Sequence, residues 1–131
     1  MSMPAETAGS VVLVVDDEPL NRDLLQRVLG REHEVIEAED AAIALAVLEA
    51  RPVAVLICDH LMPGRSGADL ALEVQRRWPG TVVLLLTGFE DASEVDDAVK
   101  AGAIAEVIGK PWSAVALRRA VARAVGREGP S

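Results

Sequence analysis

Residues 11–30 read VVLVVDDEPLNRDLLQRVLG, and the order of polar and apolar side chains in this stretch decides the fold. Val11 to Val15 is an unbroken run of β-branched and aliphatic residues, of strand length and with no polar face for water. It stops at three consecutive acids, Asp16, Asp17 and Glu18. Leu20, Leu24 and Val28, with Leu25 and Leu29, then recur at three- and four-residue intervals until Gly30, the spacing of one helical face. Pro19 suits the first helical position, where a missing N–H costs nothing. A strand with no wet face that runs straight into an amphipathic helix is the repeating unit of a parallel sheet covered by helices on both sides.

The same unit recurs along the chain. His33 to Ala38 alternates polar residues with Val35 and Ile36 as a short edge strand does, and Ala41, Leu45 and Leu48 form the stripe of a helix capped by Asp40. Val53 to Cys58 and Val82 to Leu86 are continuous apolar runs, predicted to be central strands. Leu70, Val74 and Trp78 mark a third helix, Val95 and Val99 a fourth before Gly102, and Leu117, Val121 and Ala124 a fifth. Ile104 to Ile108, interrupted by Glu106, reads as a second edge strand. With no heptad, internal repeat or linker, the prediction is one doubly wound (βα)5 domain over residues 11–126. The small and polar segment 1–10 and the tail 127–131 are expected to be frayed.

Composition agrees and excludes several classes. Half of the 131 residues are hydrophobic, yet Trp78, Phe89 and Trp112 are the only aromatic ones, as in an Ala/Val/Leu core. The net charge of −8 repels a phosphate backbone, which argues against direct nucleic-acid binding. No apolar run approaches the roughly 20 residues that span a bilayer. The single cysteine, Cys58, has no partner for an internal disulfide, so a cytoplasmic location is the expectation.

In an open parallel sheet, ligands bind beyond the carboxyl ends of the strands, so the residue after each strand is the one to read. There stand Asp16-Asp17-Glu18, Asp59, Thr87-Gly88 and Gly109-Lys110-Pro111. Asp16, Asp17 and Asp59 would repel one another unless a cation lay among them, and an all-oxygen set suits Mg²⁺ or Mn²⁺. Each acid also has a plainer use: Asp16 and Asp17 as a helix cap at the positive end of the dipole, Asp59 as the start of a turn before Pro63-Gly64. Lys110, one of two lysines, follows an apolar strand end where a partly buried ammonium needs an anion. Three acids, a hydroxyl and a lysine around one pocket combine a nucleophile, a metal site and two groups for phosphoryl oxygens.

Val-Val-Asp16-Asp17-Glu-Pro, Cys-Asp59-His-Leu-Met-Pro63-Gly64, Leu-Thr87-Gly and Gly-Lys110-Pro111-Trp, in that order, resemble the receiver domain of two-component response regulators over about residues 10–126. The resemblance implies a flavodoxin-like fold with strand order 2-1-3-4-5. It implies that Asp59 accepts a phosphoryl group from a histidine kinase or phosphotransfer protein. Mg²⁺ would be held by Asp16, Asp17, Asp59 and the backbone carbonyl of Leu61. Thr87 and Lys110 would meet the phosphoryl oxygens, and Lys110-Pro111 would be cis. The chain departs from the family where Val107 replaces an inward-turning aromatic ring, and at the rim positions Leu61 and Phe89, which are apolar.

Two other classes share parts of this chemistry. A phosphatase working through an aspartyl phosphate uses the same residue types, but resembles its relatives in placing two acids two residues apart after the first strand. A flavin binder would need hydroxyls where Asp16, Asp17 and Glu18 would repel the flavin phosphate. The output expected of the chain passes to a downstream protein or an effector domain outside it. The helix that carries Val115, Ala122 and Val125 with Arg118, Arg119, Arg123 and Arg127 offers a partner face, including that of a phosphorylation-dependent homodimer.

Overall fold

The apolar runs pair as strands, and their neighbours decide where each begins and ends. The computed structural model describes residues 10–88 and 93–128; Phe89 and most of the two expected frayed ends lie outside the described residues. The elements are β1 (Val11–Val15), α1 (Pro19–Leu29), β2 (Glu34–Ala38), α2 (Ala41–Ala50), β3 (Val55–Asp59), α3 (Gly67–Arg77), β4 (Val82–Thr87), α4 (Ser93–Lys100), β5 (Glu106–Gly109) and α5 (Ala114–Glu128). All strands are parallel, in the order β2-β1-β3-β4-β5. This is the flavodoxin-like arrangement.

Because side chains alternate along a strand, each inner strand feeds two cores. Leu13, Val15, Leu56, Cys58, Val83 and Leu85 pack with buried residues of α2, α3 and α4 on one face. Val12, Val14, Val55, Ile57, Leu84 and Leu86 pack with Leu25 and Leu29 of α1 and Leu117, Ala120, Val121 and Ala124 of α5 on the other. Each fully buried aliphatic side chain is worth about 1.5–3 kcal/mol relative to leaving it in water, which is why β1, β3 and β4 tolerate no polar residue before their ends.

The structure corrects the sequence reading at several places. In α1 the core takes Leu25 and Leu29, and Leu20 is 80 % and Leu24 48 % exposed. In α4 the core takes Val95 and Ala98, and Val99 is 42 % exposed. β3 and β4 each start or end later than predicted, so Asp59 and Thr87 are the last residues of their strands. The final strand starts at Glu106 instead of Ile104, because Ala103 and Ile104 turn into the core as loop residues. α5 runs on to Glu128, past the expected end at 126, since the next breakers are Gly129 and Pro130. Asp40 caps α2 as expected, its carboxylate accepting from Ile43 N at 2.9 Å. The cap of α1 is Glu18, whose side chain bonds no backbone N–H of the helix.

One glycine matters for the site. Gly67 opens α3 hard against the end of β3, donating its N–H to the His60 carbonyl at 2.9 Å. A Cβ there would lie 2.6 Å from the Asp59 carbonyl oxygen and 2.9 Å from His60 Cα, both backbone atoms that cannot swing aside. Gly67→Ala is therefore expected to destabilise the fold by about 1–3 kcal/mol. Gly80→Ala, whose Cβ meets nothing within 4 Å, should stay within about 0.5 kcal/mol of the native chain. Denaturant titration of the two variants checks the contrast.

Candidate functional site

The site begins with how the chain leaves β1. The Asp16 N–H still pairs with Ala38 of β2 at 3.1 Å, and its carbonyl accepts from Arg22 Nη1 at 2.7 Å. Its carboxylate accepts from Glu18 N at 2.9 Å and from Asn21 Nδ2 at 3.3 Å. Asp16 is thus fixed from both sides and only 2 % exposed. The plainer reading of Asp16 as a helix cap does not hold: its carboxylate braces the turn into α1 beside the end of β3, and Glu18 stands at the cap position. Asp17, the next residue, is exposed and has no hydrogen bond or ion pair among the described residues.

Asp59 arrives from the neighbouring strand, 5 % exposed. Pairing continues one residue past it, with His60 N donating to Leu86 O at 2.9 Å, so the end of β3 is rigidly placed. Lys110 Nζ donates to Asp59 Oδ1 at 2.7 Å. Lys110 is itself set by its N–H, which donates to the Thr87 carbonyl at 2.8 Å, and by the cis peptide to Pro111. One carboxylate oxygen from each of Asp16, Asp17 and Asp59 lies within 4.8 Å of the others. A cavity of about 410 Å³ lies alongside, walled by Asp16, Asn21, Leu24, Leu86, Lys110 and Trp112 among others.

The electrostatics follow from this crowding. Burial pushes the Asp16 carboxyl above its ordinary value, the hydrogen bond from Glu18 opposes the rise, and the charge of Asp59 adds to it. Two unit charges about 4 Å apart repel by about 1 kcal/mol in a water-like medium and about 4 kcal/mol at an effective dielectric of 20. Lys110 answers one of the three charges. The remaining excess of hard, acceptor-only oxygens fits a small divalent cation such as Mg²⁺ or Mn²⁺. Asp16, Asp17 and Asp59 are the side chains that would hold it. Burial likewise pushes the Cys58 thiol up, so it stays protonated inside the sheet.

The structure therefore brings Asp16, Asp17, Asp59 and Lys110 into one group. Thr87 stands at the end of the adjacent strand, in register with Gly109. Leu61, two residues past Asp59, is 58 % exposed, and Val107 on the edge strand 41 % exposed. Pro111 is exposed at the mouth of the cavity. Sequence reasoning missed Asn21 and Arg22, the α1 residues that clamp Asp16, although two polar groups one turn into an apolar helix were a usable signal. It also missed Gly67 and His60, which only tertiary contact reveals.

The response regulator receiver domain family matches residues 12–122. The chain belongs to this family. It is 38 % identical over 92 % of its length to the hydrogenase transcriptional regulatory protein HoxA of Cupriavidus necator, covering 25 % of that protein. It is 34 % identical over 90 % of its length to the response regulator protein PilR of Pseudomonas aeruginosa, covering 26 % of it. A response regulator receiver domain protein from Clostridium thermocellum superposes with a TM-score of 0.82 at 29 % identity, over 91 % of this chain and 96 % of that one. The chain thus spans about a quarter of the length of the curated relatives it matches.

Receiver domains are signalling modules of two-component systems, which sets aside the hydrolase alternative at the level of the family. They interact with histidine kinases or phosphotransfer proteins and generally use Mg²⁺ at an acidic pocket. No helix among the described residues is long and apolar enough to cross a membrane.

The like-charge crowding yields a prediction. Mg²⁺ at a hundred times its dissociation constant should stabilise the native chain by about 2.7 kcal/mol. Asp17→Asn should lose most of that gain, yet be at least as stable as the native chain in chelator. Asp16, with its folded value raised above the ordinary 3.8, costs stability as it ionises. In chelator, Asp16→Asn should therefore gain on the native chain as pH rises from 3.8 through the raised value. Thermal melts with and without Mg²⁺ across pH decide both points.

Proposed function

We propose that this receiver domain accepts a phosphoryl group on Asp59 from a histidine kinase or phosphotransfer protein in the cytoplasm, and passes the change to the surface formed by α4, β5 and α5. The observation that supports it most directly is Lys110 Nζ on Asp59 Oδ1 at 2.7 Å, inside a group of three converging carboxylates. A carboxylate so placed is a nucleophile with its counter-ion beside it. In the transfer, an Asp59 oxygen forms a bond to phosphorus, and the bond from phosphorus to the donor's imidazole nitrogen breaks. The electron pair stays on that nitrogen, which takes up a proton. Mg²⁺, when bound by Asp16, Asp17, Asp59 and the Leu61 carbonyl, offsets negative charge on the phosphoryl oxygens.

The remaining residues hold and report. Lys110 moves from the carboxylate to a phosphoryl oxygen, and the Thr87 hydroxyl meets another. Because the Lys110 N–H is bonded to the Thr87 carbonyl, movement at either residue is felt by β5. Val107 on that strand has no ring to turn inward, so the change is carried by the backbone of β4 and β5. The exposed Leu24 borders the cavity beside Asp16 and the exposed Leu20 stands one turn before it on α1, giving an approaching donor an apolar footing. On α5, exposed Val115 with Arg118 and Arg119 offers a face for a downstream protein, an attached effector domain or a second phosphorylated copy.

Acetyl phosphate with Mg²⁺ is expected to add one phosphoryl mass to the native chain and none to Asp59→Asn, with Lys110→Ala and Thr87→Ala modified more slowly. Intact-mass analysis with peptide mapping checks this; a phosphoryl group mapped to another residue overturns it.

The lifetime of the modified form is expected to be long. Hydrolysis needs a water held in line with the phosphorus, and Leu61, an exposed leucine at the rim, can neither donate nor accept a hydrogen bond to it. Leu61→Asn should speed the loss of phosphate about tenfold, equivalent to roughly 1.4 kcal/mol off the barrier. Decay followed by mass, native against variant, gives the answer.

A further inference from the structure

One carboxylate outside the acidic pocket ties three elements together. Glu94, in the first turn of α4, accepts from Ser66 Oγ at 2.6 Å through Oε2. Its other oxygen, Oε1, stands 3.9 Å from His60 Nε2. Both partners are already committed. Ser66 is the cap of α3, its oxygen accepting from Asp69 N at 3.1 Å, so the hydroxyl's one proton is free only for Glu94. His60, next to Asp59 and 4 % exposed, accepts from Ala68 N at 3.4 Å through Nδ1. A neutral ring that accepts at Nδ1 carries its proton at Nε2, the atom facing Glu94.

Beyond Glu94, α4 is short, and just past its end Gln75 Nε2 of α3 donates to the Ala101 carbonyl at 2.7 Å. The helix has eight residues, of which Val95 and Ala98 are buried. Short elements with few buried groups open at the lowest free energies in a fold, so a half-exposed carboxylate hydrogen-bonded in the first turn weighs heavily in where α4 sits.

We propose that Glu94 is the catch of a latch: bonded to Ser66 and facing His60, it holds α4 against the start of α3 and the residue after the acceptor, and thereby favours the phosphoryl-free arrangement. This rests on the function proposed above, in which α4 belongs to the surface that changes on phosphorylation. A contact made in only one of two arrangements shifts the equilibrium toward it, and a ligand of the other arrangement must work against that contact. Removing the catch should loosen α4 and, by the same linkage, tighten binding of a phosphoryl analogue at Asp59. A contact that merely stabilises the fold would do the first and not the second.

The test uses the whole chain as Glu94→Ala and Glu94→Gln, the latter keeping one oxygen to accept from Ser66. Without analogue, amide exchange of residues 93–100 should quicken several-fold in Glu94→Ala, stay near native in Glu94→Gln, and leave residues 41–50 unchanged. Titration with beryllofluoride and Mg²⁺ should show about threefold tighter binding for Glu94→Ala than for the native chain. Unchanged exchange in 93–100 overturns the latch, and so does quickened exchange with equal or weaker analogue binding. A native chain that binds no beryllofluoride overturns the phosphoacceptor function instead, while the exchange measured without analogue still decides whether Glu94 holds α4.

Discussion

Three carboxylates at the ends of two adjacent strands repel one another, and the surrounding structure is organised to hold them there. A parallel sheet buried on both faces gives its strands no polar position until they end, so charge accumulates at the carboxyl edge. β1 and β3 are neighbours, which puts Asp16 and Asp59 side by side. Their repulsion is resisted by the backbone: the bond from Asp16 N to Ala38 extends the pairing of β1 to the acid itself, and that from His60 N to Leu86 carries β3 one residue past Asp59. Lys110 supplies the one opposing charge among the described side chains of the pocket, and a divalent cation would supply the rest.

The lysine reaches its place by a longer route. It follows β5, an edge strand of four residues separated from β3 by β4. Its ammonium reaches Asp59 Oδ1 at 2.7 Å across that gap, while its N–H is held by the Thr87 carbonyl. The side chain paired with Asp59 is thereby mounted at the end of an edge strand. The main-chain hydrogen bond from Lys110 to Thr87 ties the end of β5 to the end of β4, whatever residue occupies position 107.

Legibility in the sequence followed the same physics. Val11–Val15, Val53–Cys58 and Val82–Leu86 were readable as strands because nothing but a two-sided core explains runs without a polar residue. The acids and Lys110 were readable because they interrupt those runs at the sheet's edge. Helix phase was less so: in α1, Leu20 and Leu24 fit the spacing as well as Leu25 and Leu29, and only the position of α5 settles which pair is buried. In α4 hydropathy favours Val99, but the close approach of the helix takes Ala98. Gly67 and the contact between Ser66 and Glu94 depend on tertiary packing that no local pattern marks, whereas Asn21 and Arg22 lie within six residues of Asp16 and were open to a local reading.

The alternation that builds the two cores also separates two tasks at the acceptor. Asp16, Asp59 and Leu86 continue the set that faces α1 and α5, the side on which Asn21, Leu24 and Trp112 wall the cavity. His60, one residue on, falls on the opposite side with Ala68 and Glu94. Adjacent residues of one strand end therefore address different layers: Asp59 joins the acidic pocket, and His60 meets α3 and α4. A peptide plane joins them, and stiff pairing to β4 keeps them from moving independently. The stiffness of that strand end ties the position of His60, which faces the first turn of α4, to the position of Asp59.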